Sequence, residues 1–180
     1  MKNLYLMPLC IFIFSMAFAQ ESSFDFKGIA LGSPVSMIES DSRFTCKDSE
    51  GILADQSCML KYNESETIAG APIKTFILSY YKGNLESMRI SFLEKHFTGV
   101  ISALTEKYGG KEPKTETVRN RMGASFENRI YVWKRKGATL DATRYASDLD
   151  TSSVTFRTDY ALEEFARRKK AADKKKAGDL

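Results

Sequence analysis

The side chains that could do chemistry in this 180-residue chain are few and poorly grouped. His96 is the one histidine, so any triad, dyad or imidazole metal site must use it or do without. Of the three cysteines, Cys10 falls in an apolar leader, while Cys46 and Cys58 flank a polar stretch containing Gly51 that can turn the chain back. In an oxidising compartment that pair reads as a disulfide across a hairpin. A redox or metal role lacks C-x-x-C spacing and supporting histidines. A cysteine nucleophile paired with His96 would need a free thiolate where the disulfide is expected. Asp148-Leu149-Asp150 opens like a calcium loop and Asp159 stands at its twelfth position. Ser153, however, occupies the place where the sharp turn needs glycine, and Val154 and Phe156 alternate as in a strand. Carboxylates are plentiful, but their order in the chain singles out no pair for glycosidase-type work, since such pairs are set by spacing in space. There is no G-x-S-x-G, P-loop or dinucleotide-binding glycine pattern. Neither metal nor cofactor is expected.

Residue types suited to binding stand out more. On the strand around residues 73–81, Phe76, Leu78 and Tyr80 share one side, and the returning strand offers only Ser87, Arg89 and Ser91 there. Either a second layer covers this side, or it is an apolar and aromatic patch left for a protein partner. Tyr131, Trp133 and Tyr145, with Arg129, Arg135 and Arg144 near them, form a second set of the types that binding hot spots favour, with burial in the core as the alternative for Trp133. Charge is lopsided. Arg167, Arg168, Lys169 and Lys170 begin a tail, residues 167–180, of net charge +5, whereas residues 20–166 carry a net −2. The tail reads as a solvated helical extension, or as an arm for anionic lipid headgroups or cell-wall polymers. It has no apolar face, so insertion into a bilayer is not expected.

These residues need elements to position them. Residues 72–110 organise the chain. Residues 73–81 and 85–92 are strands of a hairpin turning at Lys82-Gly83-Asn84. A two-residue Gly83-Asn84 loop predicts pairing of Ile77 with Ile90, Ser79 with Met88 and Thr75 with Phe92 on the core face. Phe97, Val100, Ile101, Leu104 and Tyr108 then recur at helical spacing, and Gly109-Gly110 supplies the stop. Upstream, Ser33 reads as the N-cap and Pro34 as the first residue of a brief helix, followed by strands around Phe44–Cys46 and Cys58–Tyr62. Downstream, 111–117 reads as a loop and 118–126 is ambiguous. Residues 130–133 and 138–145 then pair across a bulged loop that sets Val132 opposite Leu140. A strand around 154–156 leads to a final helix beginning near Asp159, with Leu162 and Phe165 facing inward.

Residues 1–19 have the layout of a secretory signal peptide: Lys2, an apolar run, and Ala17-Phe18-Ala19 before Gln20. The run is short for a bilayer span of about 20 residues, which disfavours a retained anchor. Lipidation at Cys10 is disfavoured by its place inside the run. Residues 20–166 then form one α+β domain: an antiparallel sheet built from two similar helix-plus-strands halves, 32–92 and 97–156, with helices packed on one face and a basic C-terminal helix at the edge. The stretches Leu31-Gly32-Ser33-Pro34-Val35 and Leu104-Thr105-Glu106-Lys107-Tyr108-Gly109-Gly110-Lys111-Glu112-Pro113 resemble the helix-bearing segments of small exported proteins with the fold of the outer-membrane assembly lipoprotein BamE and of the secreted β-lactamase inhibitor proteins. The resemblance implies helices on one face of an antiparallel sheet and action by binding other proteins; it carries over no functional residue. The chain lacks a lipidation cysteine at the cleavage point, so anchoring in the outer membrane is not implied. The expectation is a non-enzymatic exported protein, periplasmic or secreted, acting as a protein-binding, accessory or inhibitor-like module with a partner in the cell envelope. The alternatives are an envelope-surface protein bound through its basic tail, and a carboxylate-dependent hydrolase. Asn63-Glu64-Ser65 is a glycosylation acceptor if the host is eukaryotic. Export removes nucleic acid from the expected partners.

Overall fold

The computed structural model describes residues 24–50 and 52–177, with side chains to 174. The leader at 1–19, Gly51 and the last three residues of the tail lie outside the described residues. The chain opens with a small hairpin, β1 (Asp25–Phe26) and β2 (Ile29–Ala30), and one helical turn, α1 (Ser36–Glu39). Five strands follow: β3 (Phe44–Asp48), β4 (Gln56–Leu60), β5 (Thr67–Ile68), β6 (Ala71–Tyr81) and β7 (Asn84–Leu93). A 3-10 turn (Glu94–His96) leads into α2 (Phe97–Tyr108). The second half contains β8 (Lys114–Arg119), β9 (Ser125–Arg135), β10 (Ala138–Thr143), β11 (Thr151–Thr158) and α3 (Asp159–Ala177).

The main sheet runs β3-β4-β6-β7-β11-β10-β9-β8, antiparallel throughout, with β5 paired to β6. Its two halves are meanders that meet at the β7–β11 seam and run outward to the edges β3 and β8. One side, face A, holds Phe76, Leu78 and Tyr80 of β6, Met88, Ile90 and Phe92 of β7, Val154 and Phe156 of β11, Leu140 and Trp133. Phe24, Phe26, Leu31 and Ile38 of the N-terminal segment and Phe97, Val100, Ile101 and Leu104 of α2 close over it. Edge-to-face contacts of Phe24 with Tyr108 and Phe156, and of Phe26 with Phe76, interlock the layer. Gly109, at φ 88°, ends α2 by donating its N–H to the Thr105 carbonyl, and its own carbonyl accepts from Trp133 Nε1 at 2.7 Å. The end of α2 is thereby fastened to β9.

The expected α+β arrangement with helices on one face is overturned. Strand makes up 46% against 23% helix, so the fold is sheet-dominated. The helices also divide between the two faces. α1 and α2 lie with the core on face A, but α3 crosses face B, where Ala161, Leu162 and Phe165 come over Ile77, Ser79 and Ser87. The cause is local: β11 runs into α3 without a connection. The Thr158 hydroxyl caps α3 by accepting the Ala161 N–H at 3.0 Å and donates to Glu86 on the neighbouring strand. The apolar strip on its first turns must therefore be covered on the opposite side from α2.

Two hairpins are out of the expected register by one residue. The loop between β6 and β7 is Lys82-Gly83, with φ of 49° and 79°, the geometry of a type I′ turn. Tyr81 pairs with Asn84, and beyond a bulge Leu78 pairs with Met88 and Phe76 with Ile90. Because side chains alternate with a period of two, the slip sends Phe76, Leu78 and Tyr80 into the core and Ile77 and Ser79 to face B. Likewise Arg135 pairs with Ala138 across Lys136-Gly137, which sets Trp133, not Val132, opposite Leu140. Ser33 and Pro34 do not start a helix. Leu85 donates to the Ser33 carbonyl, Pro34 bridges Asn84, and α1 begins at Ser36. The stretch expected as a loop at 111–117 becomes β8 from Lys114, paired with β9.

Candidate functional site

The residues singled out for binding fall into three environments. Phe76, Leu78, Tyr80 and Trp133 are all buried in the face A core, so none of them offers a surface. Tyr131 is half-buried and stacks on Trp133, with ring centroids 6.1 Å apart. Arg135 lies over Phe24 and Tyr108 at 5.0 and 5.1 Å, where it helps to pack the N-terminal segment and the end of α2. Arg129 and Arg144 are engaged by Glu127 and Glu94, each at 2.6 Å. The tail cations are divided. Arg167 and Arg168 bind Glu164, and Arg168 also reaches Asp55 and lies 4.8 Å over the Tyr81 ring, while Lys169 and Lys170 are exposed. Cys46 and Cys58 are directly opposite one another on β3 and β4 and form the disulfide. His96 sits half-buried at the start of α2 without a side-chain cap bond. At the calcium-like loop, Asp148 accepts the Asp150 N–H at 2.9 Å, which makes a local turn before β11.

What the sequence reading did not select is face B, whose side chains come from odd-numbered positions of β6, β7 and β11. Ile77 pairs with Arg89 and Arg89 with Thr155, while Ser79 pairs with Ser87 and Ser87 with Arg157. α3 roofs one end of this floor and leaves a depression of about 240 Å³. Its rim is apolar: Leu53, Leu162 and Phe165 are 65%, 38% and 37% exposed. A second depression of about 200 Å³ adjoins it and is lined by Thr75, Ser91, Ser147 and Thr151. Ile77 and Arg89 line both, so the two form one trough along face B. The alternation Ser87-Arg89-Ser91 was visible as the polar side of β7. The sequence offered no sign that α3 would stand over it.

The electrostatics of the trough are uneven. Arg157 pairs with Asp141, and its Nε is buried without a hydrogen-bond partner. Burial pushes the Asp141 carboxyl above its ordinary value, against the pull of Arg157 and Arg89. At the roof, hydrogen bonds from Arg167 and then Arg168 hold Glu164 down at about 2, and Arg168 and the Lys82 N–H lower Asp55. Arg89 makes no hydrogen bond or ion pair among the described residues. The arrangement can hold an anion beside an apolar group.

Among the described residues, no three His, Cys, Asp or Glu side chains stand together to hold a metal ion, and no helix is long and apolar enough to cross a membrane. No protein-family model matches the chain, and neither a curated protein nor a solved structure matches it.

Proposed function

We propose that this is a non-enzymatic exported accessory protein, periplasmic or secreted, that binds another protein through the trough on face B. The observation that carries the reading is the trough itself, a sheet face that α3 covers at one end only, with Arg89, free of hydrogen bonds and ion pairs among the described residues, on its floor and an exposed apolar rim. The disulfide suits an oxidising compartment, and the resemblance to BamE-like and β-lactamase-inhibitor-like proteins adds the expectation of protein binding. The test is site-specific photocrosslinking in the native envelope. A photoreactive residue at Ser91, on the trough, is expected to trap one stoichiometric partner, and one at Glu106, on the exposed side of α2, to trap none. Equal labelling at both sites, or turnover of a substrate that a single carboxylate substitution abolishes, overturns the reading.

A second reading rests on α3. Its helix continues to Ala177, beyond the part docked on the sheet, and presents exposed Lys169, Lys170 and Lys174. These cations suit anionic lipid headgroups or cell-wall polymers. Truncation after Ala166 is then expected to abolish salt-sensitive adsorption to anionic vesicles; unchanged adsorption rejects this role.

A further inference from the structure

We propose that the trough takes an extended segment of a partner polypeptide in which a large apolar side chain stands within two residues of a carboxylate. The inference rests on the protein-binding reading and names the chemistry of the partner. Volume is the first argument. The end of the trough under α3, about 240 Å³, lies below the roughly 300–1,000 Å³ of sites that enclose drug-sized molecules and suits a single anchoring side chain, and the adjoining part of about 200 Å³ leaves room for the chain that carries it. The exposed Leu53, Leu162 and Phe165 surround that space and would lose water contact when it is filled.

Charge is the second argument. The carboxylates at the trough and its roof already have cationic partners: Asp141 has Arg157, and Asp55 and Glu164 have Arg168. The group open to the trough and left without a hydrogen bond or ion pair among the described residues is the exposed Arg89 guanidinium, which Asp141 attracts without pairing; the Nε of Arg157 is buried. An incoming carboxylate matches Arg89; an incoming cation does not. Arg89 and Ile77 are cross-strand neighbours lining the same cavity, so the apolar and cationic patches adjoin. In an extended chain, residues two apart face the same way about 7 Å apart, so one short segment can present both groups to the floor. Along the rest of the floor, the hydroxyls of Ser79, Ser87, Ser91 and Thr75 make no side-chain hydrogen bond among the described residues and are free for a peptide backbone.

The test is selection of a random 12-residue peptide display library on the oxidised full chain. Enriched peptides are expected to carry Phe, Leu or Trp within two positions of Asp or Glu. A synthetic copy of one is expected to lose at least about tenfold in affinity when its acid is replaced by the amide, and as much against Arg89→Gln. Phe165→Ala should weaken it independently, and Arg89→Lys should retain part of the binding. Arg89 is exposed and unpaired, so the urea midpoint of Arg89→Gln is expected to match that of the parent. Peptides without the apolar–acidic pair, or bound equally by Arg89→Gln, overturn the inference, as does failure to enrich any peptide. N-acetyl-phenylalanine binding as tightly as the peptides would make the occupant a small molecule. A dimer dissociated by Arg89→Glu would make it a second copy of this chain. Either outcome overturns the inference while leaving the Ser91 crosslink to decide whether a partner protein is held on this face.

Discussion

At Lys82 a non-glycine residue holds a φ of 49° in the tightest turn of the central hairpin. That conformation costs a side-chain-bearing residue about 1–2 kcal/mol, and Asn tolerates it better than Lys. Lys82→Asn keeps the backbone N–H that reaches Asp55 and is expected to raise stability by about 0.5–1 kcal/mol, read as a higher urea midpoint at unchanged slope. Phe76 tests the opposite kind of residue. It lies in the core, with Phe26 and Phe44 set edge-on against its ring, so Phe76→Ala is expected to cost about 3–5 kcal/mol. A loss under 1 kcal/mol would mean that this side of β6 is a surface after all. These two residues also show how far the site was legible. That β6 is apolar on one side and mixed on the other was plain from its alternation. Which side faced inward depended on the bulge between Ser79 and Tyr80: moving a two-residue loop by one position shifts the pairing by two and keeps the faces, whereas one extra residue reassigns every side chain beyond it. Arg89 was assigned to the polar side of its strand in either case. Its isolation could not be seen, because that depends on which acids the other strands and α3 bring near.

At the level of elements, α3 is held on face B by a short apolar strip and by the ion pair of Arg168 with Asp55, while Glu164 on the same helix orients Arg168. Both carboxyls are depressed in the folded state, Glu164 from 4.5 to about 2 and Asp55 below its ordinary 3.8. A depressed carboxyl contributes stability that is present above its unfolded value and lost as pH falls through its folded value. The docking of α3 is therefore expected to weaken as pH falls below about 3.8 and Asp55 is protonated, protonation of Glu164 between about 4.5 and 2 loosens the helix that carries Arg168, and Asp141, shifted upward by burial, works in the opposite sense beneath it. The measurement is the chemical shift of the Tyr160 and Ala161 amides through an acid titration. Movement in this window, reduced in Arg168→Ala, is the expected result, and shifts that stay constant to pH 2 would show that the ion pair with Asp55 does not hold the helix. On the edge pair β3–β4, the disulfide closes a loop with a sequence separation of 12. Replacing both cysteines by Ala is expected to cost about 3 kcal/mol, chiefly by freeing the unfolded chain. The pairing was legible because compartment and cysteine number together left few alternatives.

Across the whole molecule, the two meanders touch through the β7–β11 seam but share one continuous core, to which the N-terminal segment, α2 and strands of both halves contribute. A shared core of this kind predicts a single cooperative unfolding transition. Trp133, the one tryptophan, reports on the second half, and far-UV circular dichroism reports on both; their urea midpoints are expected to coincide. Separated midpoints would mean that the halves unfold independently. The amino-acid sequence by itself determined the elements whose signals are local: the central hairpin, the α2 span with its glycine stop, the start of α3 at Asp159, and the cysteine pair. Each of these depends on residues a few positions apart, through alternation, helical periodicity or turn chemistry. Only the tertiary structure decided which side of each hairpin is core, that α3 crosses the face opposite α2, and that an unpaired arginine is left in an open trough. These depend on a single extra residue in a bulge or loop and on cover supplied from far along the chain. The pattern of apolar and polar residues marks the two faces of a strand but does not say what will come to cover each of them.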